Sequence, residues 1–275
     1  MKPQIREILR SAVYQLKFMD SVPDSAVCNE AVKLAQKKGF YNLKPFVNGV
    51  LRTIAREIGN LELPLREENE VRYLSVKYSM PEYLVEKWNA AYGVKTTEKI
   101  LEDFLTERPI TVRCRTHKAS RKEIVTSLKA QGVTVEQAPY LSYALKISDY
   151  NHILTLDAFL QGKILVQDIS SMLVAEAASP KKGDYIIDMC AAPGGKSIHV
   201  ADKMGDYGNV DARDVSQYKA DLIKENIQRT GVINVDAKVQ DATIYDPESE
   251  QAADIVIADV PCSGYGVIGK KPEIK

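Results

Sequence analysis

Residues 184–196 read Asp184-Tyr185-Ile186-Ile187-Asp188-Met189-Cys190-Ala191-Ala192-Pro193-Gly194-Gly195-Lys196. The apolar run from Tyr185 to Met189 reads as a buried parallel strand. It passes straight into small residues, a proline and two glycines, before a helix that the pattern begins at His199-Val200-Ala201. A strand, a tight turn and a helix start in that order let backbone come close to a ligand. Gly194 and Gly195 carry no Cβ, and the first N–H groups of the helix point outward at the positive end of its dipole. A carboxylate or a ribose suits such a turn, although a purely structural turn uses the same glycines. The run lacks the spacing of a dinucleotide GxGxxG loop and the gap of a Walker phosphate loop, which Lys196-Ser197 imitates in part. Dinucleotide and nucleoside triphosphate readings are disfavoured on that ground.

Beyond the loop, strands and helices alternate. A strand from Asn209 to Arg213 ends at Asp214, and a helix from Ser216 through Ile227 closes at Gly231. A strand from Val235 to Val239 ends at Gln240-Asp241, and one from Ala253 to Ala258 ends at Asp259. This alternation predicts an α/β, Rossmann-like doubly wound parallel sheet whose C-terminal strand ends line one ligand crevice. Taken singly, each aspartate is an ordinary helix cap. Three at successive strand ends, after a glycine loop, argue for a site. The last strand leads into Val260-Pro261-Cys262-Ser263-Gly264, a turn that puts a thiol at the crevice mouth; a buried structural cysteine fits poorly among those neighbours.

The nine residues 188–196, DMCAAPGGK, resemble the cofactor loop of the RNA cytosine-5 methyltransferases. The resemblance implies S-adenosyl-L-methionine, held by Cys190, Ala191, Ala192, Pro193, Gly194, Gly195 and Lys196 of the loop together with Asp214, Asp241 and Asp259. Asp214, about twenty residues past the loop, is placed to accept both ribose hydroxyls. Asp241 then borders the adenine, and Asp259 lies near the methionine end. Cys262 and Asp259 are the candidate catalytic residues. C5 of cytosine is a poor nucleophile; a thiolate that adds at C6 makes it carbanion-like, while an acid near N3 stabilises the adduct. In the family the attacking cysteine lies one strand further on, in a Thr-Cys motif, and the cysteine matching Cys262 assists product release. No Thr-Cys pair occurs in this sequence, which implies little or no turnover by the chain alone. In DNA cytosine-5 methyltransferases the Pro-Cys cysteine is itself the nucleophile, so either role is open to Cys262.

Upstream of the loop, Gln167-Asp168 with Ser170-Ser171 resembles a family segment that packs beside the cofactor; the plain reading is a helix N-cap by Asp168 or Ser170. From Ile110-Thr111-Val112 the pattern is one of short strands around a helix capped by Ser120 and Glu123, with strands near Val133 and over 144–147. This looks like the small α+β lobe that precedes the catalytic domain in the family. Arg113-Cys114-Arg115 stands where the family has Arg-Val-Asn. Between Tyr73 and Gly93, Trp88 reads as core. At the N-terminus, Ile5, Ile8, Leu9, Ala12, Val13, Leu16 and Met19 form one buried helical stripe. A second helix ends near Gly39, and a third, over about 43–58, buries Phe46, Val47, Val50, Leu51, Ile54 and Ile58. These helices resemble the later part of a NusB-like RNA-binding domain, in which Asn48 and Arg52 stand out as polar residues among apolar neighbours.

Composition bounds the rest. The chain has 275 residues, 45% hydrophobic and 27% charged, with zero formal net charge. That is ordinary for a soluble chain, and no run nears the roughly 18 apolar residues of a membrane helix. With no apolar signal core at the N-terminus, a cytoplasmic location is expected. Cys28, Cys114, Cys190 and Cys262 lack paired spacing, so neither a metal site nor a disulfide framework is expected. Residues 1–62 carry ten Lys/Arg against six acids, and 108–129 seven against one. Both are candidate phosphate-facing patches, or solvated surface. Three regions follow: a partial NusB-like helical domain over 1–62, a charged linker (60–72) leading into the small lobe over 63–160, and the methyltransferase domain over 161–275. By resemblance the chain is a NusB-domain-containing 16S ribosomal RNA cytosine-5 methyltransferase of the Fmu/Sun type (RsmB/NOP family), expected to be a monomer acting on 16S ribosomal RNA. Only four sheet strands fit before Lys275, so a fragment lacking both ends, with an exposed fourth strand, is also expected. The rival reading is a non-catalytic RNA-binding protein with a vestigial methyltransferase domain.

Overall fold

The computed structural model describes residues 1–106, 109–205 and 207–275. Arg108, the first cation of the basic run 108–129, lies outside the described residues. Two compact units emerge, Met1–Leu105 and Thr106–Ile274. No helix among the described residues is long and apolar enough to cross a membrane.

The first unit is helical. Its helices α1 (Pro3–Phe18), α2 (Asp24–Lys37) and α3 (Lys44–Glu57) pack as a bundle, followed by α4 (Glu70–Lys77), α5 (Glu82–Tyr92) and α6 (Val94–Asp103). Ile5, Ile8, Leu9 and Ala12 of α1 meet Val27, Cys28, Ala31 and Ala35 of α2 and Val47 and Leu51 of α3, largely the stripe that the sequence predicts. Two positions leave it: Met19 and Phe46 are 40% and 45% exposed. Met19 is already the C-cap of α1, and Phe46 stands one residue off the line through Val47 and Leu51, which turns it by about 100°. Asn48 and Arg52 pair with each other on the exposed side of α3, Nε donating to Oδ1 at 3.1 Å. The charged run read as a linker is not structureless. Asn69 caps α4 by accepting from the Arg72 N–H at 2.9 Å, and Arg66 forms ion pairs with Glu70 and Glu98, each at 2.9 Å. Trp88 is buried, as expected.

The second unit begins with β1 (Ile110–Cys114), α7 (Arg121–Ala130), β2 (Thr134–Gln137), β3 (Ala144–Ser148), α8 (Asp157–Leu160) and β4 (Ile164–Val166). These strands form an antiparallel sheet in the order β2-β3-β1-β4. Ser120 and Glu123 make the reciprocal capping box that the sequence announces for α7. After α9 (Ile169–Ala178) come β5 (Tyr185–Asp188), α10 (Gly195–Met204), β6 (Asn209–Asp214), α11 (Gln217–Thr230), β7 (Val235–Val239) and β8 (Ile255–Ile257). Their parallel sheet has the order β7-β6-β5-β8, the Rossmann-like winding read from the alternation. The order reverses between β5 and β8, which opens a crevice at their C-terminal ends. One sheet face, bearing Ile186, Val210, Ala212, Val235 and Ile257, packs on Ala175, Val200, Ala201, Met204 and Ile223 of α9, α10 and α11.

Three local readings need correction. Helix α10 starts at Gly195, not near His199, because Gly194 reverses the chain at φ +99° and the Ser197 hydroxyl turns inward instead of breaking the helix. Strand β8 is shorter than 253–258, since the Asp254 carboxylate accepts from the Tyr185 N–H at 2.8 Å and the ladder begins only at Ile255. Asp168 occupies the N-cap position of α9 without a capping bond, its carboxylate being taken by Lys270 at 2.6 Å. Ser170 lies within α9. Strand β8 is an edge, with Val256 56% exposed.

Candidate cofactor site

The loop is built from its backbone. Past Asp188 the chain runs through Cys190, Ala191 and Ala192, a cis peptide to Pro193, and Gly194. The positive φ at Gly194 favours glycine, and a Cβ there would lie 3.3 Å from Ile223 Cγ2, so that side chain would have to give way slightly. The Gly194 N–H bonds to Ala191 O at 2.6 Å, and the Ile198 N–H bonds back to Gly194 O at 2.9 Å. The N–H groups of Gly195, Lys196 and Ser197 therefore precede the first intrahelical bond and are free donors at the start of α10. Beneath them Asp188 is fully buried, accepting from the Ser197 hydroxyl at 2.7 Å, while its Oδ1 has no partner. Burial pushes the Asp188 pKa up to about 6, with Asp259 adding to the rise and Ser197 and Lys196 opposing it. An orphaned buried acceptor beside a row of free donors fits a ligand end that carries both an ammonium and a carboxylate. Cys190 is half-buried, and burial, with Asp214 and Asp188 nearby, pushes its thiol pKa up.

The strand-end aspartates differ among themselves. Asp214 is buried and tied to the loop: Oδ2 accepts from the Ala192 N–H at 3.0 Å and Oδ1 from the Val215 N–H at 2.8 Å, with Lys219 Nζ 3.0 Å away. Burial pushes its pKa up, and the Ala192 N–H, Lys219 and the Val215 N–H outweigh that to leave it lowered. Asp241 closes its own turn by accepting from the Thr243 N–H at 2.9 Å and hydroxyl at 2.7 Å. It also borders a cavity of ≈ 320 Å³ floored by Ile187, Met189 and Val256 on the sheet face away from α10 and α11. That cavity includes neither Asp214 nor Asp259.

Asp259, past β8, is 57% exposed and forms an ion pair with Lys196 of the α10 first turn. The loop after β5 and the end of β8 thereby meet across the switch point. Cys262 is exposed three residues on, as the Pro-Cys turn predicts. Gly264 bends the following segment back at φ +73°, close against Ile274.

The basic run 108–129 is only in part a surface patch. Arg113 and Arg115 are each 2% exposed. Both grip Asp202 of α10, through Arg113 Nη1 at 2.6 Å and Arg115 Nη2 at 2.6 Å, and Arg115 Nη1 also donates to Gly162 O and Thr230 O. Arg115 thus makes its own set of contacts where the family has asparagine.

Three family models match successive stretches: the NusB family over residues 1–56, the RsmF/B-like ferredoxin-like domain over 80–153, and the 16S rRNA methyltransferase RsmB/F over 175–275. A probable ribosomal RNA small subunit methyltransferase B of Bacillus subtilis is 39% identical across 100% of this chain, and one of Synechocystis 32% across 99%. The chain is thus similar to the RsmB/F methyltransferases along its NusB, ferredoxin-like and methyltransferase stretches. It spans 61% of the length of each of those relatives. Among solved structures, PH0851 superposes with a TM-score of 0.85 at 30% identity, covering 100% of this chain and 61% of that one. A methyltransferase homolog from Pyrococcus horikoshii gives 0.63 at 26%, covering 73% and 65%. The parallel sheet of this chain is Rossmann-like, as the superposition on a methyltransferase homolog bears out. Two partners escape the sequence reading of this chain. Lys219 sits on Asp214, a contact signalled only by its place one turn into the helix that follows the strand end, and Lys196 pairs with Asp259, 63 residues away.

Proposed function

We propose that this chain binds S-adenosyl-L-methionine at the C-terminal ends of β5, β6, β7 and β8, for methylation of C5 of a cytosine in 16S ribosomal RNA through a cysteine adduct at C6. The observation that carries this reading is the convergence of the Gly194 turn, the orphaned Asp188 oxygen, the buried Asp214 and the Lys196–Asp259 pair on the switch point of one sheet. A carboxylate offers about four lone-pair sites. Asp214 uses three of them, which leaves one for a ribose hydroxyl, and the 41% exposed Lys219 swings away to admit the second. Asp241 borders the adenine. The α10 N–H groups take the carboxylate of the methionine end.

When bound, the cofactor supplies an electrophilic methyl group on sulfonium sulfur. The protein's part is to make C5 electron-rich and to steer protons. A cysteine thiolate forms a bond to C6, and the C5=C6 electron pair moves to C5, toward the methyl. Asp259, held by Lys196, is placed as the acid near N3 that stabilises the adduct. After C5 loses its proton to a base, the C6–S bond breaks and returns the thiolate. Cys262, three residues past Asp259, contacts this adduct as nucleophile or as the group that assists release. Because the sequence holds no Thr-Cys pair, the chain alone is assigned cofactor binding with little or no turnover.

We assign the regions 1–62, 63–160 and 161–275 to the NusB-like helices, the linker with the small RNA-facing lobe, and the methyltransferase domain of a cytoplasmic monomer. The test is calorimetric titration of S-adenosylmethionine into the 275-residue chain and into Asp214→Ala. Saturable binding that the substitution abolishes is the expected result. A folded chain without binding would overturn the reading in favour of RNA docking alone.

A further inference from the structure

Two buried guanidiniums share one carboxylate in the second unit, and nothing in the proposed chemistry uses them. Arg113 and Arg115 against Asp202 leave an excess positive charge, and Arg113 Nη2 is buried without a partner. Burial pulls the Arg113 pKa down, against the attraction of Asp202. His117 Nε2 also approaches Asp202, at 3.4 Å. Buried ionic clusters stabilise less than well-packed apolar residues of similar volume. What arginine supplies beyond an apolar side chain is a rigid fork of directed donors.

One of those donors points at the loop. Arg113 Nε donates to Gln167 Oε1 at 2.9 Å, and Gln167 Nε2 donates to Ser171 O at 3.2 Å. Gln167 is 6% exposed, and its Cδ lies 3.9 Å from the point where a Cβ on Gly195 would sit. Gln167 therefore faces the first residue of α10 across the space that a side chain there would fill. The same guanidinium grips Asp202 two turns further down that helix. A single arginine thus holds the body of α10, through Asp202, and the Gln167 side chain that faces the start of that helix.

We propose that Gln167, locked by Arg113, is a positioning residue that sets the direction of the Gly195 and Lys196 N–H groups toward the carboxylate of the bound nucleoside's amino-acid end. The inference rests on the cofactor site proposed above. Gln167→Leu keeps the volume of the side chain and removes both hydrogen bonds.

The experiment titrates S-adenosylhomocysteine, which carries the amino-acid end, and 5′-methylthioadenosine, which lacks it, into the wild-type chain, Gln167→Leu and Gln167→Glu. In Gln167→Leu, affinity for S-adenosylhomocysteine falls roughly tenfold, the worth of one well-made hydrogen bond, and affinity for methylthioadenosine holds within about twofold. Gln167→Glu retains the acceptor for Arg113 and recovers affinity to within about threefold of wild type. Equal losses for both nucleosides, no loss for either, or failure of Gln167→Glu to recover would overturn the proposal. Should Gln167→Leu not fold, Arg113→Lys, which keeps the charge and loses the Nε donor, carries the same selective loss. A wild-type chain that binds neither nucleoside would instead refute the cofactor site itself.

Discussion

Replacing Asp188 by asparagine should make the protein more stable at neutral pH and leave its stability below about pH 4 unchanged. Asp188 is fully buried, and burial raises its pKa from 3.8 to about 6. A carboxyl group whose folded-state value lies above its unfolded value favours folding only while protonated. Its contribution is complete below the unfolded pKa and is lost as pH rises through about 6. A rise from 3.8 to about 6 corresponds to about 3 kcal/mol of differential stability between pH 4 and pH 7.5. Asp202, Asp214 and Asp246, with lowered values, act in the opposite sense, so the difference between variant and wild type is the informative quantity. In Asp188→Asn the side-chain amide still accepts from the Ser197 hydroxyl, since its carbonyl replaces one carboxylate oxygen. At about 2–4 °C per kcal/mol for a unit of this size, melting temperatures should coincide at pH 4 and diverge by roughly 6–12 °C at pH 7.5, the variant higher. Scanning calorimetry across that range reads the effect. A melting difference constant from pH 4 to 8 would show that Asp188 is not held in a site that resists its charge.

Two further substitutions test other contacts. Asp202→Ala strands Arg113 and Arg115 in the interior and should cost about 3–5 kcal/mol, seen as a lower urea midpoint; a change below about 1 kcal/mol would mean that the guanidiniums escape to water. Gly194→Ala should cost about 1–2 kcal/mol for a left-handed residue, more if Ile223 cannot yield, and an unchanged midpoint would refute the φ +99° turn.

The parts of the site that the sequence makes legible are those set by neighbours along the chain. Strand β5, the Gly194 turn and the aspartates ending β6, β7 and β8 follow from apolar runs, glycines and alternation, all signals within a few residues. The start of α10 is obscured because Gly194, Gly195 and Ser197 look like turn residues, and only the inward hydrogen bond from Ser197 to Asp188 shows that serine serving the helix. Lys196–Asp259 and Arg115–Asp202 join residues 63 and 87 apart, and no periodicity announces a partner at such separations.

The basic run 108–129 shows how burial changes a functional argument. Its sequence suggests seven cations facing phosphate. With Arg113 and Arg115 committed to Asp202, the exposed cations among its described residues are Lys118, Arg121, Lys122 and Lys129, and Arg121 donates to Gln137 at 2.6 Å. Counterion release scales with the number of phosphates neutralised, at about 0.7 per contact for single strands. Those four cations account for a log–log salt slope near 3, where seven would give about 5. The reading as an RNA-docking protein without catalysis draws on that patch together with the NusB-like helices, and the patch loses charge to the very pair that grips α10. Two of its arginines are spent on α10 instead of on phosphate, and that weakens the patch as support for the rival.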